Sequence, residues 1–300
     1  MKSIDLNELA GKEAHAHLLA AVGPRPIAFA STVNEDGQAN LSPFSYFNVF
    51  STRPPVLIFS PNRRVRNNTN KDTLFNIEKT REVVINVVNF DLVEQMSLFS
   101  TEYPSEVNEF EKAGLTPIKS DLVAPFRVKE SPVQFECKVN DIIYLGEEGG
   151  AGNLIICEVL RMHVDESVLN EQGITDCTKL DLVARMGANW YTRATGESMF
   201  EVEKPLATLG IGIDQIPPRI RNSVFLSGND LGKLGNVERL PNDEEIAEIA
   251  AHPRIKDIFA NSADGMEARE QLHEYAKELL AKNKVQKAWK VLLSDRLNRN

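Results

Sequence analysis

Four side chains in the first quarter of the sequence are of the types that hold a phosphate. Ser42, Ser45 and Thr73 carry hydroxyls and Lys71 carries a cation. A phosphate dianion takes hydroxyl donors, a basic side chain and the backbone N–H groups at a helix N-terminus. The run Asn70-Lys71-Asp72-Thr73 precedes Leu74, Phe75 and Ile77, which is the pattern of a capped helix start carrying a cation. The same residues also read as an ordinary loop and an ordinary cap, because hydroxyl clusters are common near turns. Residue types alone leave both readings open.

The elements that must position these groups read mostly as strands. Ile27 to Val33 is apolar and β-prone, Asn34 to Gly37 is a turn cluster, and Gln38 to Leu41 returns. Ser42-Pro43-Phe44-Ser45 then reads as a polar loop, and Val56 to Phe59 as a short apolar run. Val83 to Val88 is a β-branched run of strand length. Val133, Phe135, Cys137 and Val139 alternate with Gln134, Glu136, Lys138 and Asn140. The Gly146–Asn153 loop follows, then a strand from Leu154 to Val164 in which Leu160, Met162 and Val164 oppose Arg161, His163 and Asp165. The pair predicts a long antiparallel hairpin with one solvated face. Short helices are expected over Ala14–Ala21, Asp91–Ser100 and Ser105–Ala113, the last ending at Gly114. Strands joined without long intervening helices fit a barrel better than a doubly wound sheet.

The stretch RPIAFASTVNEDGQANLSPFSYFNVFSTRPPVLIFSP, followed by KDTLFNI and, near residue 190, by LVARMGANWYTR, closely resembles the flavin reductase-like family of FMN-binding split β-barrels. Several motifs occur in the family's order over about two thirds of the chain. The resemblance implies a mainly β fold with peripheral helices: a split barrel over residues 1–204, and a mostly helical extension over 205–300. It implies non-covalent FMN, a homodimer, and NADH or NADPH as transient electron donor to the flavin. By the same resemblance, Ala30, Ser31, Thr32 and Val33 meet the isoalloxazine, and Ser42, Pro43, Phe44 and Ser45 follow the ribityl chain. Ser45, Lys71 and Thr73 reach the phosphate with Arg64 nearby, while Phe47 and Asn48 shape the ring pocket. Asp72 is ambiguous, since its charge repels a phosphate while its position suits a helix cap. Arg185, Asn189, Trp190 and Tyr191 close either the pocket or the dimer. The isoalloxazine accepts a hydride itself, so neither a catalytic acid–base pair nor a metal is expected.

The remaining features narrow the class. The 300 residues are 42% hydrophobic and 26% charged, ordinary for a soluble globular chain with a substantial core. A net charge of −9 argues against general nucleic-acid binding. No apolar run approaches the ~20 residues of a membrane helix and no secretory signal is visible, so the expected location is cytoplasmic. Cys137, Cys157 and Cys177 are odd in number and widely spaced, so no disulfide framework is expected, and the first two read as core residues. His15 and His17 lack a third ligand at suitable spacing. Gly210-Ile211-Gly212 begins like a dinucleotide fingerprint, but Gln215 stands where the third glycine belongs. Beyond Pro217-Pro218, Ser227 to Gly232 reads as a loop, and Asn242 or Asp243 caps a helix carrying Ile246 and Ile249. Ala263–Leu280 places Met266, Leu272, Tyr275 and Leu279 near one face, and Val285, Trp289 and Leu292 mark a last amphipathic helix. These helices are expected to pack on the barrel or on a partner subunit.

Overall fold

The computed structural model describes residues 1–100, 103, 107–202, 204 and 209–296. The chain divides into two compact units, Met1–Phe200 and Glu201–Asn300. The expected boundary at 204/205 and the start of the helix expected from Ser105 lie outside the described residues.

The first unit is built on seven strands: β1 (Ala28–Val33), β2 (Ala39–Phe44), β3 (Phe47–Thr52), β4 (Pro55–Phe59), β5 (Glu82–Val87), β8 (Val133–Tyr144) and β9 (Asn153–Val164). Two short strands, β6 (Pro117–Ile118) and β7 (Arg127–Val128), pair with each other, as do β10 (Val183–Arg185) and β11 (Tyr191–Arg193). The large sheet runs β2-β1-β5-β8-β9-β4-β3, antiparallel throughout. It closes into a barrel because strands from both ends of that order share one interior. Ala28, Ala30, Phe44, Leu57, Phe59, Val83, Ile85, Cys137, Val139, Ile155 and Cys157 form one buried cluster. Phe44 and Phe59, from opposite ends of the sheet, have ring centroids 5.3 Å apart. Helix α2 (Asp72–Thr80) plugs this interior with Leu74 and Ile77. Burial pushes both core thiols far above their ordinary range, which makes them inert.

Strand β1 is buried on both faces. Its other side, Ile27 and Phe29, meets Leu41 of β2 and a second cluster containing Leu92, Met96, Phe99 and Phe110. The expected helix over 91–100 is broken into 3₁₀ turns around α3 (Val93–Ser97), and α4 (Glu109–Ala113) ends at Gly114 with φ +63°. At the N-terminus, α1 (Gly11–Ala21) precedes a cis Gly23-Pro24 bond.

Three local expectations differ from the structure. The polar run after Leu41 is not a loop: β2 continues through Phe44, with Ser42, Pro43 and Phe44 opposite Ala30, Phe29 and Ala28. Pro43 is tolerated because β2 is an edge strand; Leu41 N–H already points away from β1, and the Pro43 nitrogen points the same way. The hairpin's expected solvated face is covered at one end, where Gln134 and Glu136 are buried beside the β6–β7 segment, and exposed at Lys138 and Asn140 as expected. A register shift between Glu136 and Cys137 re-aims the far end of β9, leaving Leu160 and Met162 exposed.

The second unit is helical: α5 (Pro218–Arg221), α6 (Gly228–Gly235), α7 (Asp243–Ala250), α8 (Pro253–Asn261), α9 (Gly265–Ala281) and α10 (Val285–Leu293). The Ser227–Gly232 stretch is thus mostly helix, opened by a capping box in which Ser227 and Asp230 bond reciprocally. Asn242 caps α7 with Glu245 in the same way. Its core gathers Ile246, Ile258, Leu272, Leu280 and Trp289, whose indole donates to Leu234 O at 2.9 Å. Met266, expected on the buried face of α9, is 68% exposed. The glycines at 210–212 serve packing: a Cβ on Gly210 would sit 2.6 Å from Gly235 O, and Gly212 N–H donates to the same carbonyl. None of the described helices is long and apolar enough to cross a membrane.

Candidate flavin site

The start of α2 differs from the expected cap. Lys71 is the N-cap residue, extended at φ −87°, ψ 153°, Asp72 is the first helical residue, and no side-chain capping bond forms. The Leu74 N–H turns back onto the Lys71 carbonyl at 2.9 Å, and the positive end of the helix dipole lies at this turn. The Lys71 ammonium lies 5.1 Å from the centre of the Phe44 ring, which brings the cation to the Ser42–Ser45 segment. Asn70 is occupied elsewhere, accepting from Arg63 Nη1 at 3.2 Å. Arg63 also holds Asn68 through Nε (2.7 Å), and Arg64 holds Thr69 Oγ1 (3.1 Å) and the Asn70 carbonyl. Both arginines thereby fold the loop that delivers Lys71, and Arg64 stands in that loop rather than beside β1.

Behind Lys71 runs a chain of polar contacts. Thr73 Oγ1 donates to Asn40 Oδ1 at 2.8 Å, and Thr32 Oγ1 approaches the same oxygen at 3.4 Å. Asn76 Nδ2 donates to Thr32 Oγ1 at 3.0 Å, tying α2 to β1. On its other side, Asn40 Nδ2 donates to Glu109 Oε2 at 2.9 Å, and the Leu41 N–H donates to the same carboxyl oxygen. The Thr73 hydroxyl, in a fully buried residue, is thus committed inward. Burial pushes the Glu109 carboxyl up to about 7; the Leu41 N–H opposes this, Asp72 adds to it and Lys71 opposes it.

The remaining predicted residues fall into three groups. Ala30, Ser31 and Val33 are buried, Ser31 Oγ without a partner. Phe47 packs on the barrel interior, whereas Asn48 is exposed and accepts from its neighbour Val49 N–H at 2.8 Å. Pro43 and Ser45 line a cleft of about 100 Å³ with Ile27, Met96, Arg185 and Tyr191. Arg185 donates to Tyr191 Oη (2.8 Å) and to the Ala188 carbonyl (2.7 Å). The structure therefore joins Thr32 to Thr73 and Lys71 to Phe44, and puts Ser45 with the distant 185–191 segment. Sequence reasoning missed Asn40, Asn76 and Glu109. Asn40 sits in a motif that was read, but its pairing with Glu109 leaves no local signal.

A strand barrel plugged by a helix with an open, lysine-flanked N-terminus is the scaffold of one class of protein. The flavin reductase like domain family matches residues 22–183, and the chain belongs to that family. An uncharacterized protein of Aquifex aeolicus is 39% identical over 197 residues, 66% of this chain and 98% of that one. Nitrilotriacetate monooxygenase component B from Bacillus cereus superposes with a TM-score of 0.63 at 32% identity, over 67% of this chain and 98% of that one. A protein with a split barrel domain from Shewanella frigidimarina gives 0.56 at 25% identity, over 66% and 96%. The chain is a split-barrel flavoprotein of the flavin reductase-like type; family and neighbours support a flavin cofactor and a flavin-linked oxidoreductase role.

Proposed function

We propose that this protein holds FMN with its phosphate at the N-terminus of α2, takes electrons from NADH or NADPH, and passes them to free flavin, a partner protein or a small acceptor. One observation carries the reading: a helix start with no side-chain cap, its N-cap a lysine aimed at the Ser42–Ser45 segment. Lys71 and the Thr73 N–H hold the phosphate in this reading, with Arg64 supporting through its loop; Ser45, in the cleft with Arg185 and Tyr191, stands apart from them. Ser42 and Phe44 follow the ribityl chain, and backbone from Ala30 to Val33 meets the ring. Asp72 stays off the phosphate. The bound flavin supplies the electron-accepting ring, while the protein orients it and keeps water off one face. The chain works as a homodimer in the cytoplasm; Val49 and Phe50, exposed on edge strand β3, offer an apolar surface to a second copy.

A second reading, a non-enzymatic FMN carrier or sensor, is favoured by the helical unit after residue 200, which lies beyond the stretch matched by the family model. In that case the helices engage a partner. The purified protein, supplemented with FMN, is expected to show a perturbed flavin spectrum released on denaturation. No bound flavin in excess FMN overturns both readings. Anaerobic bleaching by NADH or NADPH supports the reductase; retention of oxidised FMN with both nucleotides supports the carrier.

A further inference from the structure

Glu109 lies behind the α2 N-terminus, one side chain removed from it. It opens α4 after the Asn108 cap and keeps only 9% exposure. Both hydrogen bonds to its carboxyl, from Asn40 Nδ2 (2.9 Å) and from the Leu41 N–H, go to Oε2. Among the described residues none goes to Oε1, which leaves that oxygen as the place for a proton. Asn40 turns its Oδ1 to Thr73 Oγ1 at 2.8 Å, so two hydrogen bonds lead from this carboxyl to the second residue of α2. By accepting from the Asn40 nitrogen, Glu109 also decides which end of that amide faces Thr73. The charges acting on it are those of Asp72 and Lys71 at the start of α2, opposite in sign. Strand β2 and the 3₁₀ turn Leu98–Ser100, which pack on α4, carry no ionisable side chain. On α4 itself, Glu111 accepts from Asn108 Nδ2 at 3.0 Å, and the Lys112 ammonium lies 6.0 Å from the centre of the Tyr103 ring.

We infer that Glu109 is a proton-carrying positioning residue for the phosphate end of the flavin: it takes up a proton from solvent as the phosphate seats at the α2 N-terminus and gives it back on release. The inference rests on the flavin reading above. A phosphate dianion beside Lys71 brings negative charge to a turn that already holds Asp72. An ionised Glu109 repels it through a poorly hydrated interior. A protonated Glu109 does not, and its Oε2 still accepts from Asn40 and Leu41, so the hold on Thr73 outlasts the charge. Burial, and after it Asp72, bring this carboxyl up to about 7 against the Leu41 N–H and Lys71, so the exchange falls at neutral pH. The phosphate raises it further. FMN affinity is therefore highest below the value in the free protein, and the gain is lost as pH rises through the value in the complex.

The test is calorimetric titration of the full-length protein with FMN and with riboflavin between pH 7 and 9, at constant ionic strength. Two non-phosphate buffers of unlike ionisation enthalpy report the protons taken up. In this range the FMN phosphate, with a second pKa of about 6, is already a dianion. A rise of about one unit in the Glu109 pKa makes FMN about fivefold tighter at pH 7 than at pH 9, with about half a proton taken up at pH 7.5. Riboflavin is expected to show neither effect. Glu109→Gln keeps an acceptor for Asn40 without the charge. It is expected to bind FMN within about twofold of the parent at pH 7 and about five- to tenfold more tightly at pH 9, with no proton uptake. Glu109→Ala releases Asn40 and is expected to weaken FMN about threefold or more at pH 7. A flat parent profile without proton uptake, uptake that persists in Glu109→Gln, or unchanged affinity in Glu109→Ala overturns the role of Glu109 and leaves the phosphate site standing. Should Glu109→Ala fail to fold, the parent and Glu109→Gln profiles decide. If Lys71→Ala binds FMN as the parent does and riboflavin binds as tightly as FMN, the phosphate is not at α2, and the flavin reading falls together with this inference.

Discussion

Two buried glutamates in the barrel unit meet opposite treatment. Glu136, on β8, is fully buried at the far side of the sheet from α2. Burial alone would push its pKa up, yet the N–H groups of Asp121 (2.9 Å) and Leu122 (2.6 Å), with His163 Nε2 at 2.6 Å, hold it below its ordinary value. Arg127 lies 3.9 Å away, and Arg161 pairs with Asp121 at 2.6 Å. Asp121, Glu136 and His163 have ligand atoms within 4.8 Å of one another, but the two arginines already supply the positive charge a cation would bring. Glu109, behind the candidate flavin site, is pushed up to about 7 by burial and then by the charge of Asp72, against the Leu41 N–H and Lys71, and both its donors sit on one oxygen. A carboxylate whose lone pairs are met is structural glue; one left under-supplied next to a ligand site holds its proton more tightly and can respond to what binds there.

The largest effect is expected at the saturated end. Glu136→Ala leaves two N–H groups and His163 without their acceptor, and denaturant unfolding should show a loss of about 3–5 kcal/mol. A loss under about 1 kcal/mol would mean that the cluster is idle. Glu109 should behave in the opposite sense with pH. Its native pKa is raised from 4.5 to about 7, so the native state binds the extra proton. The associated stability is fully present below 4.5 and is lost as pH rises through 7. Glu109→Gln keeps the acceptor without the charge; it should match the parent near pH 4.5 and exceed it by about 3 kcal/mol above pH 8. Stability curves that run parallel across this range would remove the contrast between the two glutamates.

The contrast was only partly legible in the sequence. Alternation on β8 located the strand and its core side, Cys137 and Val139, because a period of two survives local detail. It misread Gln134 and Glu136 as solvated, since their cover comes from β6–β7, a segment with no periodic signal of its own. Ser42-Pro43-Phe44-Ser45 read as a polar loop; that the strand continues there, at a sheet edge where the missing proline N–H is not needed, is a tertiary fact. In the helical unit, two glycines hid α6 behind a loop-like composition, although Ser227 and Asp230 stand at capping-box spacing. At the candidate site, Lys71 and Thr73 were visible as residue types near a helix start. Their roles diverge only through Asn40, which Glu109 holds from 69 positions away.

That divergence gives the two smaller predictions. Lys71→Ala removes a charge-assisted contact and should weaken FMN binding by about 1.5–3 kcal/mol, roughly ten- to a hundredfold, with riboflavin, which lacks the phosphate, little affected. Equal FMN affinity would return Lys71 to the role of a surface lysine resting on Phe44. Thr73→Val is the finer probe. It keeps the β-branched shape and the backbone N–H but deletes the hydroxyl that Asn40 accepts at 2.8 Å. If the backbone N–H is what meets the phosphate, FMN affinity should fall by less than about threefold, and the main cost, about 1 kcal/mol, should appear in unfolding as the Asn40 amide loses a donor. A loss of FMN affinity as large as that of Lys71→Ala would mean that the hydroxyl turns outward when the ligand binds. The relay to Glu109 would then be a resting contact that the flavin breaks.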